Sequence, residues 1–133
     1  MAYKLERAST STLEVEIGNE TLSIGVGGMS TYKRVLDAQS KLKDIQVKIK
    51  NLTANKVEIT KELIDFLGET VIFLFQTAFG EENTDKILKY YEGNYDEMLL
   101  KVYPFLIKVY LPALKENAQL ESRAYAKRLA GDT

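Results

Sequence analysis

The spacing of the apolar residues changes near residue 27, and this change restricts the possible fold more than any other feature of the chain. Between Leu13 and Val26, apolar residues recur at every second position on both sides of Gly18-Asn19. A period of two places these side chains on one face of a strand, and Gly-Asn tolerates the backbone angles of a tight turn. The pattern predicts a β-hairpin. Because an isolated hairpin is marginal in water, we expect helices or another chain to cover its apolar face.

After Gly27-Gly28, apolar residues recur at alternating steps of three and four, which predicts a long helix with a narrow apolar seam. Ser30 or Thr31 is the predicted cap of this helix. Such a seam pairs either with another helix of the same chain or with a neighbouring copy, and the sequence leaves both possibilities open. The seam consists of Val35, Ala38, Leu42, Ile45, Ile49 and Leu52.

A second helix is predicted from Asn55 to Phe79 and is the most apolar part of the chain, so we expect it to be the central core helix. Gly80 follows it, as glycine often does just past a helix end. The densest apolar run, Val71 to Phe75, is too short to span a bilayer. The predicted inward stripe is Ile59, Leu63, Phe66, Leu67, Val71, Leu74, Phe75 and Ala78, widened by Ile64, Ile72, Phe73 and Phe79.

The sequence pattern after Gly80 predicts shorter helices. A short helix is expected after the polar break at 81–84, capped by Asn83 or Thr84 and closed by Gly93-Asn94. The next helix, from Tyr95, contains Pro104 and Pro112, and we expect a kink or break at both because proline removes a backbone donor and clashes with the preceding turn.

The predicted fold is mainly α with an N-terminal β-hairpin (α+β), a small bundle of about four to five helices. We expect a flexible N-terminus over 1–12, a hairpin plus helical core over 13–114 and an amphipathic tail helix over 115–133, with 131–133 frayed. No apolar segment follows Lys4 and Arg7, so we expect no secretory signal and a cytoplasmic protein.

The chain has no His and no Cys, which removes the thiolate nucleophile, disulfides and the usual zinc ligands. Glu58, Glu62 and Asp65 share one helix side, but nothing completes a metal site around them. Gly25 to Gly28 lacks the Gly-Lys-Ser/Thr ending of a phosphate loop. We therefore expect no enzyme, no catalytic residue, no cofactor and no metal; a carboxylate metalloenzyme is the weakest alternative.

The net charge of −1 hides a segregation of charge along the chain. Seven Lys or Arg stand against two Asp between Ser30 and Lys56, and ten acids stand against three Lys between Val57 and Leu99. These charges are either solvated faces that attract each other within the fold or complementary surfaces that steer self-association or a partner.

The basic first helix also suggests phosphate contacts, so a small nucleic-acid-binding or transcriptional regulator is the alternative function. A pI of about 5.6, the excess of Lys over Arg and the missing helix-turn-helix pattern argue against nucleic acid as a partner.

Tyrosines cluster in the second half of the chain, where their amphipathic rings suit either core edges or interfaces. The sequence does not distinguish these two roles. Together with the seam of the first long helix, they form the hypothesised partner-binding set: Tyr32, Val35, Leu42, Ile45, Ile49, Tyr90, Tyr91, Tyr95, Tyr103 and Tyr110.

A hairpin, a long helix after Gly28, an apolar helix ending in Ala78-Phe79-Gly80-Glu81 and a short helix closed by Gly93-Asn94 follow one another in this chain. Over roughly residues 13 to 115, this layout resembles the tail assembly chaperones of long-tailed bacteriophages and prophages.

The resemblance implies a non-enzymatic role in virion morphogenesis. Several copies would coat and solubilise the tape measure protein and help to recruit tail tube subunits, in the host cell cytoplasm and without entering the mature virion. The partners implied are the tape measure protein, the tail tube protein and further copies of the chain in a homo-oligomer, without a membrane. Such families often also make a longer frameshifted product, and the tail after Lys115 would suit a junction to it. No binding residue carries over from the resemblance.

Overall fold

The computed structural model describes residues 11–131, beginning with the predicted hairpin. Strands β1 (Thr12–Ile17) and β2 (Glu20–Gly25) pair antiparallel, with Val15 opposite Leu22. The turn between them has Gly18 at a φ of 59°, the first central position where a type II′ hairpin turn favours glycine. Apart from residues 11 and 12, the N-terminal segment predicted to be flexible lies outside the described residues.

Helices make up most of the remaining chain, so the predicted class, mainly α with an N-terminal hairpin, is confirmed. A π-helical turn over Leu106–Tyr110 separates the last two helices. Among the described residues, no helix combines the length and the apolar character needed to cross a membrane. The helices are α1 (Met29–Ala54), α2 (Lys61–Phe79), α3 (Glu81–Tyr90), α4 (Tyr95–Lys101), α5 (Tyr103–Phe105) and α6 (Leu111–Gly131).

Helix α1 begins without a side-chain cap, so the predicted cap at Ser30 or Thr31 is wrong. Gly28 occupies the cap position with a φ of 103°, and this backbone freedom lets the chain turn from β2 directly into the helix. The N–H group of Gly28 donates to a carboxylate oxygen of Glu121 on α6 at 3.0 Å. A side chain 93 residues away in the sequence therefore satisfies this backbone donor at the start of the helix.

The start of α2 also differs from its predicted position at Asn55. Helix α1 continues to Ala54, and Lys56 then adopts a φ of 57° while the Val57 N–H donates back to the Leu52 carbonyl at 2.8 Å. This hydrogen bond satisfies the Leu52 carbonyl at the end of α1. The new helix begins only after Thr60, whose hydroxyl oxygen accepts from the Leu63 N–H at 3.2 Å.

Asn83 and Thr84 lie inside α3, so the prediction that one of them caps this helix is wrong. The Thr84 hydroxyl donates to the Gly80 carbonyl at 2.7 Å, and the Asn83 amide donates to the carbonyls of Phe79 and Ser23, both at 2.9 Å. The bond to Ser23 ties α3 to β2. Gly80 ends α2 with a φ of 89°, as predicted.

The core lies between the hairpin, α1, one side of α2 and the C-terminal helices. Helix α2 contributes eight buried residues and α1 four, so α2 is the main core helix, as predicted, but only on one side. The ring of Phe79 lies 5.4 Å from that of Phe75 and 5.4 Å from that of Tyr110, centroid to centroid. Gly68 allows α2 to approach the Tyr95 ring so closely that a Cβ there would clash with it. The fully buried aliphatic and aromatic side chains include Leu22, Ile24, Val35, Leu42, Val71, Leu74, Phe75, Ile87, Leu106 and Leu114.

The chain departs from α-helical geometry beside both prolines, where disruption was predicted. Val102 is a turn residue just before Pro104, and the π-helical turn lies just before Pro112. There the Leu111 N–H donates to the carbonyl of Leu106, five residues back. The wider turn accommodates a residue that lacks a backbone donor, so helical structure continues instead of ending.

Helix α6 runs antiparallel to α1. The Gln39 amide donates to the hydroxyl of Tyr103 on α5 at 3.3 Å, and within α6 the Asn117 amide donates to the Val26 carbonyl at 2.8 Å. Further along, Glu121 accepts from Gly28. The predicted tail helix at 115–133 is therefore the continuation of a helix that starts at Leu111. Of the residues predicted to fray, 131–133, only Gly131 is among the described residues, and it belongs to α6.

Candidate protein-binding groove

An open groove of about 500 Å³ lies between α1 and α2. Helix α1 contributes one wall and α2 the other, and most of the lining surface is apolar. We call it the α1–α2 groove. Its lining residues are Lys41, Asp44, Ile45, Phe66, Glu69, Thr70 and Phe73.

Two phenylalanines of α2 line this groove and remain in contact with solvent. Phe66 is 54% exposed and Phe73 is 51% exposed, and they lie seven residues apart on one side of the helix. The predicted inward orientation of both side chains is wrong, as is that of Ile64, which is also exposed. Helix α2 is apolar around most of its circumference, and the other elements cover only the side that carries Leu67 and Val71.

The rim of the groove on α2 is acidic. Glu62, Asp65 and Glu69 are exposed and recur at steps of three and four, on the side of α2 that carries Phe66 and Phe73. The opposite wall is mixed: Asp44 lies near Lys41, whose ammonium nitrogen is 5.7 Å from the centroid of the Phe73 ring. That geometry is a cation–π contact at a partly exposed site.

The basic charges of α1 and the acidic charges of α2 do not form ion pairs with each other. Between residues of the described part of the chain, the one ion pair within 4.0 Å joins Lys86 to Glu82 at 3.9 Å, inside α3. The acidic rim of α2 is therefore available to cations of another molecule. The segregated charges retain the second role that the sequence suggested, that of surfaces which steer association.

The structure divides the hypothesised partner-binding set between core and surface. Val35, Leu42, Ile45 and Tyr110 are buried within the chain's own core, so in this conformation their side chains are not available to a partner. Ile45 nevertheless forms part of the floor of the α1–α2 groove. Five others pack against the core with part of their surface exposed, namely Tyr32, Ile49, Tyr91, Tyr95 and Tyr103.

Tyr90 is the most exposed member of that set, at 55%, and lies over the hairpin turn at Gly18. Its ring meets the Tyr91 ring edge-on at a centroid distance of 5.0 Å. Tyr32 lines a separate, smaller groove between α1 and α6 together with Leu36 and Leu111. The predicted residues therefore lie at several places and do not form one surface.

Sequence reasoning missed Phe66 and Phe73 as surface residues. The available signal was the apolar circumference of α2, because a helix that is apolar nearly all round needs neighbours on every side. In this small fold, the other elements do not surround α2 on every side. Clustered exposed aromatics of this kind mark sites of interaction.

The acidic side chains that the structure describes do not cluster as metal ligands. No three acidic side chains within residues 11–131 form a group able to hold a metal ion, so Glu58, Glu62 and Asp65 do not form one. Burial raises the pKa of Tyr110 to about 12, and burial followed by the charges of Tyr90 and Glu97 raises the pKa of Tyr91. Both phenols therefore stay protonated near neutral pH.

Comparisons of the chain with protein-family models, with curated proteins and with solved structures give no match. Function is therefore inferred from the α1–α2 groove, its charges and the sequence.

Proposed function

We propose that this protein is a non-enzymatic assembly chaperone that binds an elongated helical protein in the α1–α2 groove. The observation that supports the proposal is the exposure of Phe66 and Phe73 on one side of α2, facing a groove floored by Ile45. Apolar grooves between helices bind the apolar face of an amphipathic helix. Seven residues of α2 span about 10 Å, so the groove matches about two turns of such a partner.

The charge of the rim specifies the partner further. Glu62, Asp65 and Glu69 favour a helix that carries Lys or Arg beside its apolar stripe. Rim charges of this kind act mainly on the rate and selectivity of association, whereas the phenylalanines supply buried apolar area.

The resemblance in layout to phage tail assembly chaperones gives the partner a biological identity within this proposal. The elongated helix is then the tape measure protein, coated by several copies of the chain in the cytoplasm of the host cell, with tail tube subunits recruited around it. A coat of many copies is compatible with a groove that binds only about two helical turns, because each copy then contacts only a short stretch of the partner.

Co-expression with a tape measure protein, the partner named in this proposal, tests it. We expect the wild-type chain to keep that protein soluble and to elute with it from a sizing column. The double variant Phe66→Ser/Phe73→Ser should lose both effects. The matched control is Tyr90→Ser, which removes an exposed aromatic outside the groove and should behave like wild type.

Two results would refute the proposal: an insoluble partner with no complex at low or moderate salt, or a groove variant as effective as wild type. In the first case binding of the chain to nucleic acid should be tested next.

A further inference from the structure

The last turns of α6 carry exposed side chains only. Glu121 reaches back to Gly28 at the start of α1, and each residue from Ser122 to Gly131 is exposed. We call residues 122–131 the α6 tail. At 1.5 Å per residue it is about 15 Å long, which is close to three helical turns.

One side of the α6 tail continues a buried stripe of the same helix. Leu114 and Ala118 are buried against the body of the molecule, and the same face continues at Tyr125 and Leu129, seven and eleven residues after Ala118. Tyr125 is 59% exposed and Leu129 is 54% exposed. The stripe thus extends past the surface that buries its first half.

The α6 tail is also basic. Arg123, Lys127 and Arg128 are exposed, and residues 122–131 include no acid. At about 100° per residue, Arg128 lies beside the stripe of Tyr125 and Leu129, whereas Arg123 and Lys127 lie on the opposite side of the helix. The tail is therefore a positively charged amphipathic helix with one cation beside its apolar stripe, and its charge is opposite to that of the acidic rim of the α1–α2 groove. The lining of that groove holds Lys41 together with Asp44 and Glu69, so it carries no excess of positive charge that would repel a basic helix.

The α6 tail points away from the groove of its own chain. Because α6 runs antiparallel to α1, the tail continues beyond the start of α1 at Gly28, whereas the groove lies at Asp44 and Ile45. Sixteen helical residues separate Gly28 from Asp44, which is about 24 Å along α1. A tail that projects from one end of the molecule meets such a groove in another copy.

We propose that the α6 tail of one copy docks in the α1–α2 groove of a second copy. Tyr125 and Leu129 pack on Phe66 and Phe73, and Arg128 lies toward the acids of α2, while Arg123 and Lys127 add to the positive charge of the tail from its far side. The surfaces on the two copies differ, so the contact is heterologous and continues from copy to copy. The inference rests on the groove of the proposed function, and a partner helix in that groove displaces the tail.

Complementation between two defective variants tests this docking. The tail variant is Tyr125→Ser/Leu129→Ser, and the groove variant is Phe66→Ser/Phe73→Ser; all four side chains are about half exposed, so both variants should keep the helical circular dichroism of wild type. In sedimentation velocity, wild type should associate with rising concentration, and each variant alone should require a roughly tenfold higher concentration.

An equimolar mixture of the two variants should form heterodimers, since each contributes the surface that the other lacks. Chain growth stops there, because the remaining tail and groove are both defective. A mixture that stays monomeric, a variant that associates like wild type, or a wild type that stays monomeric at every concentration would overturn the docking.

Solubilisation of the elongated partner separates this inference from the proposed function. The tail variant should keep the partner soluble, because its groove is intact, whereas the groove variant should not. If the mixture forms heterodimers while neither variant nor wild type keeps the partner soluble, the docking stands and the chaperone role fails.

Discussion

At the scale of single residues, Tyr110 combines a favourable ring with an unfavourable hydroxyl. Its side chain is fully buried, and its ring packs edge-on against Phe79 at 5.4 Å. Its hydroxyl group has no hydrogen-bond partner among the residues that the structure describes. A buried polar group without a partner costs about 1–3 kcal/mol, so the ring stabilises the core and the hydroxyl group opposes it.

Replacing Tyr110 by Phe should therefore raise the free energy of unfolding by about 1 kcal/mol at neutral pH, measured by urea denaturation. The ring and its contact with Phe79 are retained in this variant. Tyr125→Phe is the control, because it removes the hydroxyl group of an exposed tyrosine and should change stability by less than about 0.5 kcal/mol. Destabilisation by Tyr110→Phe would mean that the hydroxyl group has a favourable contact.

The same variant has an expected pH dependence. Burial raises the pKa of Tyr110 to about 12, while an unfolded tyrosine has a pKa of about 10. Between these values the unfolded chain loses the phenol proton and the folded chain keeps it, so the contribution of Tyr110 to stability is full below pH 10 and falls as the pH rises. The stability difference between Tyr110→Phe and wild type should widen over this window. A constant difference would contradict the raised pKa.

At the scale of elements, α2 has a buried side and an exposed side, and two phenylalanines only two residues apart lie on opposite sides. Phe75 is fully buried and touches Phe79, whereas Phe73 is half exposed and faces the α1–α2 groove. Their chemistry is identical and both lie in the same helix. The pair therefore separates the contribution of burial to folding from the contribution of exposure to binding.

Phe75→Ala should lower the free energy of unfolding by about 3–5 kcal/mol, because it removes buried area and leaves a cavity, and Leu67→Ala should cost about 2–5 kcal/mol. Phe73→Ala should cost less than about 1 kcal/mol while weakening partner binding. Chemical denaturation of the three variants provides the comparison. Losses below about 1 kcal/mol for both Phe75→Ala and Leu67→Ala would show that α2 is not the core helix.

At the scale of the whole molecule, charge is segregated between surfaces that do not pair with each other. Glu69 of α2 lines the α1–α2 groove with Glu62 and Asp65 on the same exposed side of the helix, and the cations of the α6 tail lie at the other end of α1. The chain therefore presents a negative groove and a positive helix in different directions, an arrangement that favours contacts between copies over contacts within one copy.

Self-association of the wild-type chain should accordingly weaken as salt rises, because attraction between exposed charges is screened over about 8 Å at physiological ionic strength and over about 3 Å at 1 M. Sedimentation velocity at several salt concentrations measures this. The charge-reversal variant Arg128→Glu, which changes the cation beside the apolar stripe, should associate more weakly than wild type at low salt and lose part of the salt dependence. Association that strengthens with salt in the wild type would indicate a purely apolar contact.

The sequence alone determined the local architecture of this protein. The period of two from Leu13 to Val26 gave the hairpin, and the steps of three and four gave α1 with Val35, Ala38, Leu42 and Ile45 buried. Gly80 ended α2 where it was predicted to do so. These features depend on backbone sterics and on one apolar face per element, and both are encoded within a few neighbouring residues.

Only the tertiary structure decided where α1 and α2 begin and which residues form the candidate site. The Gly28 donor finds its acceptor in Glu121, 93 residues away, which no local pattern shows. Phe66 and Phe73 are exposed because α2 is apolar around most of its circumference, while the other elements cover only one side of it. Periodicity tells which residues of a helix are apolar, but how many of its sides are covered depends on the packing of the whole chain.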